Sequence, residues 1–160
     1  MRAVHLTDTP EALLEQVKGK FGDGVVEAGV RGPRSAAVKV KLEVFLEAAK
    51  YLKEQQNFEH VSSVSGVDFK KHLTVVYHLY SYSKGVLLEF SVDLPRDNPR
   101  LPSLTPLWGG ANWHEREQYD FFGITFEGHP NLERIMTPPG WQYFPLRKEY
   151  RVSGELQTSA

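Results

Sequence analysis

Val86-Leu87-Leu88-Glu89-Phe90-Ser91-Val92-Asp93-Leu94 decides the fold class. Val86, Leu88, Phe90, Val92 and Leu94 alternate with Leu87, Glu89, Ser91 and Asp93. Successive side chains on a strand point to opposite faces, so this is the pattern of a half-buried strand. Working back, Leu73, Val75, Tyr77 and Leu79 share one face of a strand over Leu73–Tyr80, and Ser81–Gly85 is the turn between the two. A Ser-rich strand is expected over Val61–Val67. Leu42–Gln55 is a helix, with Phe45, Ala48, Ala49 and Leu52 at i, i+3, i+4, i+7 on one stripe. Gly32–Pro33 makes a turn between strands over Val25–Val30 and Ala36–Val40, so a hairpin is expected. Asp8-Thr9-Pro10 opens a first helix, a capping side chain followed by Pro in the first turn, with Leu13, Leu14 and Val17 as its apolar side. That helix should end near Gly19–Gly24.

The order is α-β-β-α-β-β-β. Helices and strands do not alternate strictly, so the expected class is α+β, two layers, with helices on one face of a mixed sheet. Residues 1–94 read as this core domain and 95–160 as an extended region and arm.

The character of the chain changes at Leu94. Eight of the ten prolines and all three tryptophans lie beyond it. Pro95, Pro99, Pro102 and Pro106 exclude a helix or a central strand there, and the segment should run extended over the surface. A third helix is expected over Asn112–Phe122 with Gly123 as its stop. Beyond Gly128, His129–Pro130, Pro138-Pro139-Gly140 and Pro145 break regular structure. Trp141, Tyr143, Phe144 and Tyr150 need a surface to cover them.

Composition narrows the chemistry. The 160 residues include no Cys, and 19 Lys+Arg against 20 Asp+Glu leave a formal net charge of -1. Without Cys there is no disulfide framework, thiolate zinc site or ordinary iron–sulfur cluster. Balanced charge argues against a nucleic-acid binder. No apolar run reaches membrane-spanning length and no secretory signal is visible, which points to a soluble cytoplasmic domain. His114–Glu115 opens like H-E-x-x-H, but position 118 is Gln. His72 and His78 share a strand face about 20 Å apart, too far to share an ion. There is no phosphate-binding glycine motif and no G-x-S-x-G elbow. A stand-alone metallohydrolase built on His114, Glu115 and His129 is the remaining enzymatic alternative.

Glu115 falls within an apolar stripe of Trp108, Ala111, Tyr119 and Phe122, where an unpaired carboxylate would cost several kcal/mol. Two readings are open. Asn112 and Glu115 could form a capping box, or Glu115 or Glu117 could pair with an arginine of the tail or of another chain. Arg116 and Asp120 stand at i, i+4, the spacing of a weak local pair. Arg147–Lys148 is either a solvated pair or an anchor for an acidic groove.

The run Glu115-Arg116-Glu117-Gln118-Tyr119-Asp120-Phe121-Phe122-Gly123-Ile124 resembles a known signature. It is that of the thirty-kilodalton subunit family of proton-pumping NADH:quinone oxidoreductase, respiratory complex I. Leu94-Pro95-Arg96-Asp97-Asn98-Pro99 and Leu107-Trp108-Gly109-Gly110-Ala111-Asn112 resemble the family's approach to it. Phe126-Glu127-Gly128-His129-Pro130 and Pro145-Leu146-Arg147-Lys148-Glu149-Tyr150 resemble its exit. Gly66-Val67-Asp68 and Val75-Val76-Tyr77 fit its strands more loosely, and coverage is roughly residues 58–151. Glu133 stands where the family commonly has Arg, Tyr143–Phe144 where Gly-His is frequent, and Glu149 where Asp is usual. The aromatic replacements strengthen a packing role.

The resemblance implies a peripheral-arm subunit on the cytoplasmic side of the bacterial inner membrane. It would dock on the large subunit of the forty-nine-kilodalton type, which helps form the quinone site, and on neighbouring Fe-S subunits. It would bind no nucleic acid. It would carry no cofactor, metal or catalytic residue, with NADH, FMN, Fe-S clusters and quinone on partners. Glu115, Arg116, Glu117, Tyr119, Asp120, Gly123, His129, Arg134, Arg147 and Lys148 are the implied signature and interface residues. The equivalent subunit of a membrane-bound hydrogenase, a formate hydrogenlyase or a cyanobacterial-type complex is the close alternative.

Overall fold

The computed structural model describes residues 9–151. Helix α1 spans Pro10–Phe21, and the Thr9 hydroxyl accepts from the Ala12 N–H at 3.3 Å as its N-cap. Asp8, the other expected starter, lies outside the described residues. A short 3-10 turn (Gly22–Gly24) leads into β1 (Val25–Gly32), which pairs antiparallel with β2 (Ser35–Val40), the expected hairpin. Then follow α2 (Leu42–Glu54), β3 (His60–Asp68), β4 (His72–Ser81) and β5 (Val86–Pro95). These strands form one mixed sheet in the order β1-β2-β5-β4-β3. Within it β2 and β5 run parallel, and the other neighbours are antiparallel.

Register puts the inward side chains in one layer. Tyr77 lies opposite Phe90 and Val64, Leu79 opposite Leu88, and Val38 opposite Phe90. All are buried. Phe45 of α2 stacks on Phe90 with centroids 5.1 Å apart and tilts against Tyr77 at 5.8 Å. Each such apolar side chain contributes about 1.5–3 kcal/mol by leaving water. The alternation read in Val86–Leu94 is therefore the core face of the central strand.

The Pro-rich segment departs from expectation. It does not run over the surface: Leu101 and Leu104 are 0% exposed. Arg100–Pro102 forms β6, which pairs in parallel with β7 (Thr125–Glu127) in a separate two-stranded sheet. Proline is tolerated because an edge strand leaves alternate N–H groups unused, and the Ser103 N–H still reaches Glu127 O at 2.8 Å. Leu101 and Leu104 then point inward, and the Trp108 indole N–H donates to Phe58 O at 2.8 Å. Proline here excludes the wrong elements without excluding burial.

Helix α3 spans Ala111–Phe122 and packs against β3. It begins one residue earlier than Asn112, with Gly110 at the cap position and no side-chain cap. Gly123 ends it in the left-handed conformation, φ 70°, ψ 30°, as expected for a glycine stop. Closeness of α3 to the sheet depends on Gly66. A Cβ there would lie 2.8 Å from Phe122 Cδ2 and 2.9 Å from Gln118 Oε1.

Gly66→Ala should therefore destabilise the isolated chain by about 1–3 kcal/mol in urea unfolding. Gly29→Ala, where a Cβ meets nothing within 4 Å, should shift the midpoint much less.

Candidate functional site

Three carboxylates organise the signature region. Glu115, on the inward face of α3, is 0% exposed. Its Oε1 accepts from the Tyr77 hydroxyl at 2.9 Å and the Leu104 N–H at 2.9 Å; its Oε2 accepts from the Ser103 hydroxyl at 2.6 Å. Both sequence readings of Glu115 are thus corrected. Among the described residues it caps no helix and pairs with no arginine. It joins α3 to β4 and to the segment after β6. Burial pushes its pKa up, and the Ser103, Leu104 and Tyr77 hydrogen bonds only partly offset this. The Tyr77 phenol is pushed well up by burial and by the neighbouring Glu115 charge.

Asp120, further along α3, is also 0% exposed. Its Oδ2 accepts from three successive N–H groups, Ile135 at 3.0 Å, Met136 at 2.7 Å and Thr137 at 3.1 Å. Its Oδ1 accepts from Arg134 Nη1 at 2.9 Å and from the Thr137 hydroxyl. Desolvation pushes the pKa up, but the Thr137 hydroxyl and the backbone donors outweigh it and hold it well below the usual carboxylate range. The expected Arg116–Asp120 pair does not form, because Arg134 approaches from the arm.

Asp68, at the end of β3, is the third. Arg96 grips both its oxygens and also bonds Glu149, while the Lys148 N–H and Lys70 N–H donate to it at 2.8 Å and 2.7 Å. Here too desolvation is outweighed, by Arg96 first, and the pKa lies well below the usual range. The arm is therefore bound to its own chain at two carboxylates, Asp120 and Asp68.

The remaining predicted residues distribute around this frame. Arg147 Nε donates to Phe122 O at 2.7 Å, which ties the arm to the end of α3. The Phe144 ring contacts the guanidinium groups of both Arg134 and Arg147, at 5.2 Å and 4.8 Å from its centroid. A Cβ at Gly123 would run into that ring, so Gly123 provides both the helix stop and the space for Phe144. The packing role expected of the aromatic pair at 143–144 is visible here. Lys148 contributes its backbone, and its side chain is exposed. His129 Nε2 lies 3.1 Å from Asn112 O, and its Nδ1 accepts from the Asn131 N–H at 3.0 Å. Arg116 Nε donates to Glu133 O at 3.0 Å. Glu117 lies 3.3 Å from the Gln118 amide, and Tyr119 lines a shallow cleft with Arg134 and Trp141.

The metallohydrolase reading has no geometry behind it. Glu115 is committed to Tyr77, Ser103 and Leu104, and both His129 nitrogens have partners within the chain. Among the described residues no three His, Asp or Glu side chains group to hold a metal ion.

Gln118, Asp68 and Arg96 were missed as site residues. Gln118 accepts from the Gly66 N–H at 2.7 Å and donates to Val64 O at 2.9 Å, satisfying an edge of β3. Its only sequence signal was a polar residue on a helix face that also carries Glu115 and Phe122.

These contacts define a two-layer α+β domain whose charged signature residues bind its own chain together. The family follows from its relatives: this chain belongs to the respiratory-chain NADH dehydrogenase 30 kDa subunit family, whose model matches residues 38–156. It is 38% identical to a subunit of the F(420)H(2) dehydrogenase of Methanosarcina mazei, covering 86% of this chain and 89% of that one. It is also 38% identical to a subunit of the NADH-quinone oxidoreductase of Roseiflexus sp., covering 89% and 84%. Among solved structures it is similar to a trypsin-resistant fragment of Nqo5, with TM-score 0.67 and 34% identity over 76% of this chain and 98% of that one. A chain of the archaeal membrane-bound sulfane sulfur reductase matches with TM-score 0.75 and 27% identity over 89% and 85%.

Two outcomes test the site. Glu115→Ala should cost about 3 kcal/mol or more, since it strands the buried Leu104 N–H and two hydroxyls. Glu115→Gln should cost less than half as much in the same chemical unfolding measurement, because hydroxyls can turn to donate or accept.

The second concerns pH. Asp68 and Asp120 have depressed native pKa values, so their stabilisation is present above the unfolded value of about 3.9 and is lost as pH falls below it. Glu115, shifted up, works in the opposite sense. Asp120→Asn should be about 3 kcal/mol less stable than wild type at pH 7, and the gap should narrow below about pH 4.

Proposed function

We propose that this chain is a structural subunit, without cofactor or active site of its own, of the peripheral arm of a proton-translocating NADH:quinone oxidoreductase. It docks on the large quinone-site subunit of the forty-nine-kilodalton type and sits beside the Fe-S subunits, on the cytoplasmic side of the membrane. Family membership supports the assembly. The observation that carries the structural role is that the buried signature carboxylates, Glu115 and Asp120, are satisfied from within the chain. A buried carboxylate with both oxygens engaged by donors of its own chain holds shape and is poorly placed to move a proton. No described helix is long and apolar enough to cross a membrane, which fits attachment through partners. Electron transfer and quinone chemistry depend on fine placement of the groups involved, so a rigid subunit between them contributes to rate by fixing geometry.

One observation favours a second reading of the electron donor. Identity to the F(420)H(2) dehydrogenase subunit equals that to an NADH-quinone oxidoreductase subunit, 38% in each case. The chain's job is then common to complexes with different donors, and the donor is set by other subunits.

Affinity purification of the tagged full chain from its source cells should bring down the quinone-site subunit, identified by mass spectrometry. The isolated chain should show no NADH oxidation with an artificial acceptor; robust activity would overturn the reading. Arg147→Ala should lower recovery of the complex several-fold, through loss of the arm's contact with Phe122 O rather than loss of an external contact.

A further inference from the structure

Trp113 is 64% exposed on the outward side of α3. Arg116, one turn on, lies with its guanidinium carbon 4.6 Å from the centre of the indole ring. Its Nε is held by Glu133 O at 3.0 Å. The ring contact and this hydrogen bond hold the guanidinium, and its two Nη atoms make no hydrogen bond among the described residues. Its neighbours differ. Arg134 pairs with Asp120, Arg96 with Asp68 and Glu149, Arg100 with Glu127, and Arg147 approaches Glu149. Arg116 makes no ion pair among the described residues. On the next turn, the Asp120 carboxylate holds the Met136 N–H, and Met136 is 70% exposed. The Arg116 guanidinium thus lies against one exposed apolar side chain, Trp113, on a helix whose next turn holds the backbone of another, Met136.

We infer that Trp113 and Arg116 are the anchor for an Asp or Glu carboxylate on a partner subunit, with apolar flanks of that segment resting on Trp113 and Met136. The inference rests on the assembly reading above and names the contact within it. Trp and Arg are the residues most enriched among dominant interface contacts, and Met is enriched at interfaces. A planar fork matches a carboxylate with two parallel hydrogen bonds. Because the indole and Glu133 O already hold the guanidinium, less side-chain freedom is lost on docking. Charge selects a single carboxylate over a phosphate polymer. Glu117 adjoins Arg116 in sequence, Glu133 meets it through its carbonyl, and the whole chain is at -1, whereas a polyanion needs a basic field.

The test uses the full chain in the assembled complex. Trp113→Ala and Arg116→Ala should each reduce the quinone-site subunit retained on the tagged chain about tenfold or more, while the isolated variants unfold within a few degrees of wild type. A photo-crosslinking amino acid at position 113 should give an adduct to a partner peptide that contains Asp or Glu. Retention equal to wild type for both variants, or an adduct only to a segment without Asp or Glu, overturns the anchor and leaves the assembly reading intact. A wild-type chain that retains no partner subunit overturns the assembly reading and this inference with it.

Discussion

A carboxylate beyond the reach of solvent needs donors, and in this protein Asp120 obtains them from the chain that follows it. Three consecutive backbone N–H groups, a hydroxyl and a guanidinium converge on its oxygens. The residues that supply them, 134–137, contain no helix or strand. None of them is fully buried, and they have no hydrogen-bond ladder of their own. Their conformation is therefore dictated by the anion they wrap. Phe144, Arg147 and the Lys148 backbone then follow in sequence onto Gly123, Phe122 O and Asp68. The arm is first of all a part of its own domain, and only its outer surface is left for a partner.

Glu115 does the same for the segment before α3. Its oxygens take up Ser103 and Leu104, which lie just past β6, and so bring Leu104 and the parallel β6–β7 pair against the main core. Two carboxylates on α3, little more than a turn apart, thus fasten the chain on either side of the helix. Removing a partner from such a buried arrangement costs far more than the arrangement contributes over an apolar substitute. That asymmetry makes these positions intolerant of change without making them catalytic. It also separates the roles along α3: Glu115 and Asp120 face inward and shape the domain, while Trp113 and Arg116 face outward.

The main sheet was legible in the sequence because its signal is local. Val86–Leu94 and Leu73–Tyr80 declare their faces residue by residue, and the turn between them is short. Leu42–Glu54 carries its stripe in the same way. The segment over 95–106 was misread because proline recurrence says which elements are excluded and nothing about what Leu101 and Leu104 face. Pairing of β6 with β7 joins strands more than twenty residues apart with no repeating pattern in either. At Glu115, sequence correctly marked a carboxylate on an apolar stripe, but the proposed partners were a nearby cap and an arginine. The actual donors include Tyr77, 38 positions away. Asp120 was harder still, since backbone N–H groups leave no trace in residue identity. The family signature, by contrast, was readable as a resemblance before any of its physics was.

If buried carboxylates fasten the arm, hydrogen exchange of individual amides in the isolated chain reports it most directly. The N–H groups of Leu104, Ile135, Met136, Thr137 and Lys148 lie outside every helix and strand, yet each donates to a carboxylate oxygen. They should exchange slowly, with protection approaching that of the β4–β5 ladder. Exchange of these amides at the rate of an unstructured loop, while the ladder stays protected, would contradict that fastening.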